Sequence, residues 1–314
     1  MSAMRLVFCG TPQFAVPSLK YLLAQPDFEI LSVYTQPDRP RGRGQEVSFS
    51  AVKEVALGAN VPVMQPEKVR APEVEEHLRG LAPDAIVIIA YGQIIPKRLL
   101  PIPRLGWINL HASLLPKYRG AAPIHWAIAR GETVTGNTTM RIDAGMDTGE
   151  MLLQEKMPIG PDETSPELAA RLAEAGAPLM AETLRRLARG DLAGRPQNHA
   201  EATLAPMLKR EDGRIAWGRP AAEIHNRMRG FAPWPGAYTE FRGQTCHMWG
   251  KPVGGENVAA VPGSLVATGS GLRVACGEET LLEIEWVKME GRKQVTAQEF
   301  VRGARLGSEE HFGE

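Results

Sequence analysis

The chain has 314 residues, with 36 basic side chains against 36 acidic ones, so its formal net charge is zero. A hydrophobic fraction of 43% and a charged fraction of 23% exclude disorder as the dominant state, and the length accommodates two domains. Neutrality argues against a protein that coats nucleic acid indiscriminately, and the longest apolar run, Ala85 to Tyr91, is far short of the ~20 residues that cross a bilayer.

Leu6 to Cys9 is a short apolar run ending at Gly10-Thr11-Pro12, and apolar spacing over 14–23 predicts a helix. Ile30 to Thr35 reads as a second strand, followed by a Pro/Arg/Gly segment over 36–45. Helical patterns over 50–57 and 72–81 flank an extended stretch at 61–64, and Asp84 to Ala90 is a strand apolar on both faces. A strand at 107–110 runs into a long loop and a helix at 123–130; strands at 138–142 and 151–159 and a long helix at 165–189 follow. Strands that alternate with helices and have continuous apolar interiors predict an α/β domain over 1–189, a doubly wound, mostly parallel sheet covered on both faces. Over 190–206 the periodicity lapses among Gly, Pro, Asn and Ala, which reads as a linker. Beyond it, over 207–314, a helix at 221–229, short strands at 237–241, 245–249, 263–268, 272–275 and 281–288, and a helix at 297–304 predict a smaller C-terminal antiparallel β-barrel.

The first strand–turn lacks G-x-G-x-x-G, and Pro12 removes a backbone donor that a phosphate cradle would use. A Walker A motif is also missing. In open α/β sheets the ligand lies beyond the carboxyl ends of the strands, where two segments stand out. After the strand at 107–110, Asn109 and His111 stand two apart on extended backbone and so share a face; a polar pair there is costly to bury unless hydrogen-bonded or used. Asp143-Ala144-Gly145-Met146-Asp147-Thr148-Gly149 is a Gly-bearing loop with two carboxylates. An Asn, a His and an Asp brought together can hold a carbonyl oxygen and move a proton. Taken singly, each also has a structural reading: a His at a strand end satisfied by its surroundings, an Asp that caps its own turn. Asp143 reads as structural. The three cysteines (Cys9, Cys246, Cys276) have neither disulfide-framework nor metal-ligand spacing, which points to no metal and to a reducing, cytoplasmic setting. The N-terminus carries neither a secretory nor a transit pattern.

Asn109-Leu110-His111 with Ser113-Leu114-Leu115-Pro116, then Arg119-Gly120-Ala121-Ala122-Pro123, then Asp147-Thr148-Gly149, is similar to the folate-dependent formyltransferase family. Phe8 to Pro12, Thr35 to Pro40, Ala90-Tyr91-Gly92 and Pro233-Trp234-Pro235-Gly236 extend the resemblance over nearly the whole chain. It implies a Rossmann-like formyltransferase domain and an OB-like C-terminal barrel. The activity implied is transfer of a formyl group from 10-formyltetrahydrofolate to the α-amine of methionine on initiator methionyl-tRNA, by a monomeric enzyme with no membrane partner. Residue by residue, it implies Asn109, His111 and Asp147 as the catalytic trio and Ser113, Leu114, Leu115 and Pro116 as the folate-contacting segment. Arg39, Arg41 and Arg43 fall in an insertion loop that contacts the tRNA acceptor end. Two rivals reuse the trio: a formyltransferase for a small amine, and a formyltetrahydrofolate hydrolase. The arginine loop and the C-terminal domain favour a macromolecular acceptor. There, residues 208–242 hold seven basic side chains against four acidic ones, and Lys209, Arg210 and Arg229 are the first candidates for phosphate contact.

Overall fold

The structure is a computed structural model that describes residues 3–41, 46–268, 271–306 and 310–313. It divides into two compact units, the first comprising residues 1–123, 134–158 and 168–206, the second 124–133, 159–167 and 207–314.

The first unit is built on a seven-stranded sheet. Its strands are β1 (Met4–Gly10), β2 (Phe28–Tyr34), β5 (Val63–Met64), β6 (Ala85–Ile89), β7 (Trp107–His111), β8 (Val134–Arg141) and β9 (Met151–Pro158), in the order β5-β2-β1-β6-β7-β8-β9. The ladders from β5 to β7 are parallel and the last two antiparallel. Helices α1 (Val16–Leu23), α2 (Ala51–Gly58) and α3 (Pro72–Leu81), with most of α5 (Ser165–Arg189), cover the sheet. Strand period sorts the side chains between two cores: Leu6, Phe8, Val87 and Ile89 pack with Leu19, Val52 and Leu184, whereas Val7, Cys9, Ile86 and Ile88 pack with Val74 and Leu78 of α3. The chain runs from β1 out to β2 and β5, then returns to β6 on the other side of β1. That reversal is the topological switch point, which in open α/β sheets opens a crevice at the strands' carboxyl ends.

The described part of the arginine-bearing segment contributes a strand. Strands β3 (Arg39–Arg41) and β4 (Glu46–Ser48) pair antiparallel, Arg39 opposite Ser48 and Arg41 opposite Glu46. Ties gather at the base of this hairpin. The Thr35 and Ser50 hydroxyls are 2.7 Å apart, Lys53 Nζ donates to Asp38, and Gln65 donates to Asp38 Oδ1 and the Gln36 carbonyl, each at 2.9 Å.

The second unit carries α4 (Pro123–Ala129) and α6 (Ala221–Gly230), beside a curled antiparallel sheet of β10 (Tyr238–Phe241), β11 (Gln244–Pro252), β14 (Leu281–Met289), β13 (Gly271–Ala275) and β12 (Leu265–Thr268) in that order, with β15 (Val295–Thr296) on β14 and α7 (Ala297–Ala304) against β13 and β14. This is the half-barrel of the expected small C-terminal domain. Its two edges are bridged by a segment that the strand pattern does not show: Gly313 N donates to Glu240 O and Phe312 N to Gly263 O, both at 2.9 Å. Phe312 is buried there, stacked on Trp217 with ring centroids 5.7 Å apart.

Residues 190–206, which read as a linker, pack on the first unit. Arg195 exchanges both backbone hydrogen bonds with Met151 at the start of β9, and Ala205 N donates to Arg119 O at 2.7 Å.

Candidate active site

Three loops leave the sheet beside the switch point. After β1, Thr11 Oγ1 donates to the Tyr91 carbonyl at 3.3 Å, and Gln36 Nε2, beyond β2, donates to the same oxygen at 3.0 Å. Tyr91 follows β6 through Ala90 at φ 48° and precedes Gly92 at φ 84°, so the chain turns sharply as it leaves the sheet. β7, next in the sheet, ends in His111.

On β7, Ile108 and Leu110 enter the core shared with α1 and α5, while Trp107 lies in the core on the other face. Asn109 and His111 take the Trp107 face. His111 is buried, and its Nε2 stands 2.9 Å from the Tyr118 carbonyl oxygen. A carbonyl only accepts, so Nε2 carries the hydrogen and donates it. The other nitrogen, Nδ1, faces Asp147 Oδ2 at 3.7 Å. That gap exceeds a direct hydrogen bond. Nδ1 is therefore the nitrogen open to proton exchange.

Asp147 adopts φ 53°, a left-handed conformation that Asp tolerates better than most side chains. The same loop is folded from its other end by Asp143, whose Oδ1 accepts from Gly145 N at 2.9 Å and Thr148 Oγ1 at 2.7 Å. Asp143 is thus the turn former of the pair. The Asp147 carboxylate accepts from Gly120 N at 2.8 Å. Gly120 sits at φ 120°, and a Cβ built there would lie 2.6 Å from the Ala205 carbonyl oxygen, so only glycine fits. The Arg119-Gly120 motif thus supplies the donor that aims Asp147.

Between His111 and Tyr118 the loop is pinned from within. Ser113 is fully buried and its hydroxyl donates to Lys117 O at 2.6 Å, and Leu115 is buried beside Met140 and Met151. Thr138 Oγ1 donates to Ser113 O and accepts from Leu115 N, and Gln154 Nε2 donates to Leu115 O. Within the expected folate-contacting segment, the less buried members are Leu114 and Pro116. Ser113 and Leu115 shape the loop instead.

The candidate tRNA contacts fall into three groups. Arg39 is exposed on β3, Arg41 ends that strand, and Arg43 lies outside the described residues. Lys209 and Arg210 are exposed, with the Arg210 guanidinium 5.9 Å from the Tyr238 ring centroid. Arg229 is a correction. It is 4% exposed, and its guanidinium donates to Gly160 O and Glu163 O at 3.0 Å each and to Asn226 Oδ1 through two nitrogens. It fastens the 159–167 segment to α6 inside the second unit and leaves no face for a phosphate.

Groups to which no role is attached in the sequence reading also converge here. They are the Tyr118 carbonyl, Thr138, Arg119 and Gln197, the last drawn from the supposed linker.

A family model described as formyl transferase matches residues 4–184, and one for the formyl transferase C-terminal domain matches 207–305. A methionyl-tRNA formyltransferase of Koribacter versatilis (strain Ellin345) is 54% identical over 313 residues, covering 99% of each chain. One from Geobacter sulfurreducens is 47% identical over 315 residues, covering all of this chain and 98% of its own. The chain belongs to the methionyl-tRNA formyltransferase family. The fold recurs in the sugar 3N-formyl transferase WlaRD, solved with dTDP and 5-N-formyl-THF, at a TM-score of 0.67 and 18% identity over 93% of this chain and 100% of that one. Among the described residues no group of three or more His, Cys, Asp or Glu is placed to hold a metal ion, and no helix is long and apolar enough to cross a membrane.

Proposed function

We propose that the chain transfers the formyl group of 10-formyltetrahydrofolate to the α-amino group of methionine on initiator methionyl-tRNA. The observation that carries this reading is the His111–Asp147 pair, with Nε2 committed to the Tyr118 carbonyl, Nδ1 turned to the carboxylate at 3.7 Å, and Asn109 two residues back on the same strand face. The neutral amine attacks the formyl carbon, a C–N bond forms, and the carbonyl oxygen takes the negative charge. The Asn109 amide and a proton on His111 Nδ1 donate to that oxygen as charge develops. The amine then gives up one proton to the Asp147–His111 pair, N10 of the folate gains one, and the C–N10 bond breaks to release tetrahydrofolate. Leu114, Pro116 and the main chain of 113–116 line the folate side, while the buried Ser113 and Leu115 hold that segment's shape.

The tRNA is the acceptor in this reading because exposed cations stand in both units: Arg39 at the base of the β3–β4 hairpin, with Arg41 and Arg43 beyond it in sequence, and Lys209 and Arg210 before α6. Arginines beside an active-site cleft can grip phosphate and base edges together. Residues 1–189 act as the catalytic domain and 207–314 as the tRNA-binding domain of a monomeric cytoplasmic enzyme. The three buried, unpaired cysteines suit a reducing compartment.

The test is incubation with 10-formyltetrahydrofolate and charged initiator or elongator tRNA, reading formyl-methionine at two salt concentrations. Formylation of the initiator tRNA, falling with salt, is expected. Transfer to a small amine, or release of formate, without transfer to tRNA would overturn the reading.

A further inference from the structure

Arg119 is buried, and its guanidinium meets an amide oxygen and an imidazole nitrogen rather than a carboxylate. Arg119 is 6% exposed, and its Nε and Nη2 donate to the single oxygen Gln197 Oε1 at 3.0 and 2.7 Å, while Nη1 lies 3.1 Å from His199 Nδ1. Two charged-donor bonds to one amide oxygen fix which way that amide faces. With Oε1 held by the guanidinium, Gln197 Nε2 turns the other way and donates to Asp147 O and Gly149 O, both at 2.8 Å. Gln197 is itself buried. The main chain from Asp147 to Gly149 is thus clamped by one side-chain amide, and the Asp147 carboxylate itself is held by Gly120 N, the residue after Arg119.

We infer that Arg119 and Gln197 are positioning residues for Asp147: the guanidinium orients the Gln197 amide, and the amide holds the left-handed Asp147 backbone so that its carboxylate faces His111 Nδ1. Without the two N–H donors, the 147–149 carbonyls lose their partners and the loop relaxes from φ 53°, a conformation that is costly for a non-glycine residue and persists only where its surroundings impose it. A displacement of about 1 Å at a reacting group is worth about 10²-fold in rate. Gln197 therefore acts on turnover through Asp147, with no contact to either substrate. The inference rests on the catalytic role proposed for Asp147, and the experiment separates the two.

Gln197→Glu keeps an oxygen for Arg119, so the buried guanidinium stays paired, but it presents an acceptor to two carbonyls. Kinetics would be measured for the parent, Gln197→Glu, Asp147→Asn and the double variant. Expected is a fall in kcat for Gln197→Glu of about 10- to 100-fold, with KM for both 10-formyltetrahydrofolate and methionyl-tRNA within about twofold of the parent. In the Asp147→Asn background the same substitution should cost no more than about twofold, because groups acting as a unit are non-additive. Gln197→Met, which removes both donors and acceptor without adding charge, is the second variant and should reproduce the kcat loss. If Asp147→Asn keeps near-normal kcat, the catalytic role of Asp147 falls. If Asp147→Asn is severe but both Gln197 variants retain kcat within twofold, or lose the same factor in both backgrounds, the positioning role falls alone.

Discussion

Replacing Gly120 with alanine tests the junction that aims Asp147, because one added carbon meets three constraints there. The backbone is at φ 120°, the new Cβ would lie 2.6 Å from Ala205 O, and the residue's N–H donates to Asp147 Oδ2 at 2.8 Å. Holding alanine at such a φ costs about 1–3 kcal/mol. The contact is well inside the ~3.5 Å of ordinary packing, so something must yield. If residues 118–122 retreat from 203–205, the Ala205 N to Arg119 O and Ala122 N to Ala205 O bonds, at 2.7 and 3.2 Å, are stretched. If Gly120 rotates instead, the bond to a carboxylate is lost, worth about 1.5–3 kcal/mol. Either route totals roughly 2–5 kcal/mol, which at about 2–4 °C per kcal/mol for a unit of this size lowers Tm by about 4–20 °C. The second route also costs kcat, about tenfold for each 1.4 kcal/mol withdrawn from the transition state. Gly190→Ala is the control, since Gly190 has φ 74° with nothing within 4 Å of an added Cβ; it should show the conformational cost alone, about 1–2 kcal/mol, and unchanged kcat. Thermal melts and steady-state formylation on both variants decide the matter. Gly120→Ala within 2 °C of the parent and within twofold in kcat would refute the account of the loop.

His111→Ala, shown folded by its melt, should lose about 10²–10³ in kcat, the range for one lost oxyanion donor; near-normal formylation would remove His111 from the mechanism. Arg39→Ala should raise KM for methionyl-tRNA and leave KM for 10-formyltetrahydrofolate within about twofold, and equal effects on both would count against a tRNA contact. Arg229→Met should behave oppositely, keeping both KM values while destabilising the second unit by roughly 1–3 kcal/mol through loss of its charged-donor hydrogen bonds to Gly160 O, Glu163 O and Asn226 Oδ1; a selective tRNA KM effect would reinstate it as a contact. At the hairpin base, the hydrogen bond from Lys53, and secondarily that from Gln65, holds the Asp38 carboxyl below its usual range. A depressed carboxyl contributes stability that is present above the unfolded value of about 3.9 and lost as pH falls through the folded one. The urea midpoint of the parent should therefore exceed that of Asp38→Asn at pH 6 and converge on it towards pH 3; a constant gap would show the tie to be electrostatically inert.

The strand–helix alternation and the Asn109–His111 pair were legible because both follow from fixed periods: two along a strand, 3.6 around a helix. The same arithmetic carried a warning about Arg229. Ala221, Ile224, His225, Met228 and Arg229 recur at i, i+3, i+4, i+7 and i+8, and all five are buried. A charge count over 208–242 cannot see which face of α6 each cation takes, whereas the helical stripe puts Arg229 among the apolar residues. The β3–β4 hairpin was hidden for a different reason. Its pairing is stabilised from its base, by Asp38, Lys53 and Gln65, and two of those three come from outside the segment. The bridging segment around Phe312 is likewise too short for any period, and its ring contacts with Trp217, Phe241 and Phe300, with its backbone bonds to Gly263 and Glu240, explain it.

The segment 190–206 shows where composition misleads most. Lapsed periodicity says that a stretch presents no continuous apolar face; it does not say that the stretch is free. A tether and an irregular strap share Gly, Pro and polar residues, and differ in where their backbone groups find partners. Here Arg195 bonds back to Met151, Thr203 O accepts from Arg119 N at 2.9 Å, and Gln197 reaches the Asp147 loop. Each partner lies in the loop after β7, in the loop between β8 and β9, or at the start of β9. A strap of this kind needs no hydrophobic pattern, because the residues it holds are themselves main-chain carbonyls and N–H groups that the active-site loops expose once they leave the sheet. Irregular backbone at the site must be satisfied by irregular backbone elsewhere in the chain, and that is the chemistry that periodic patterns cannot report.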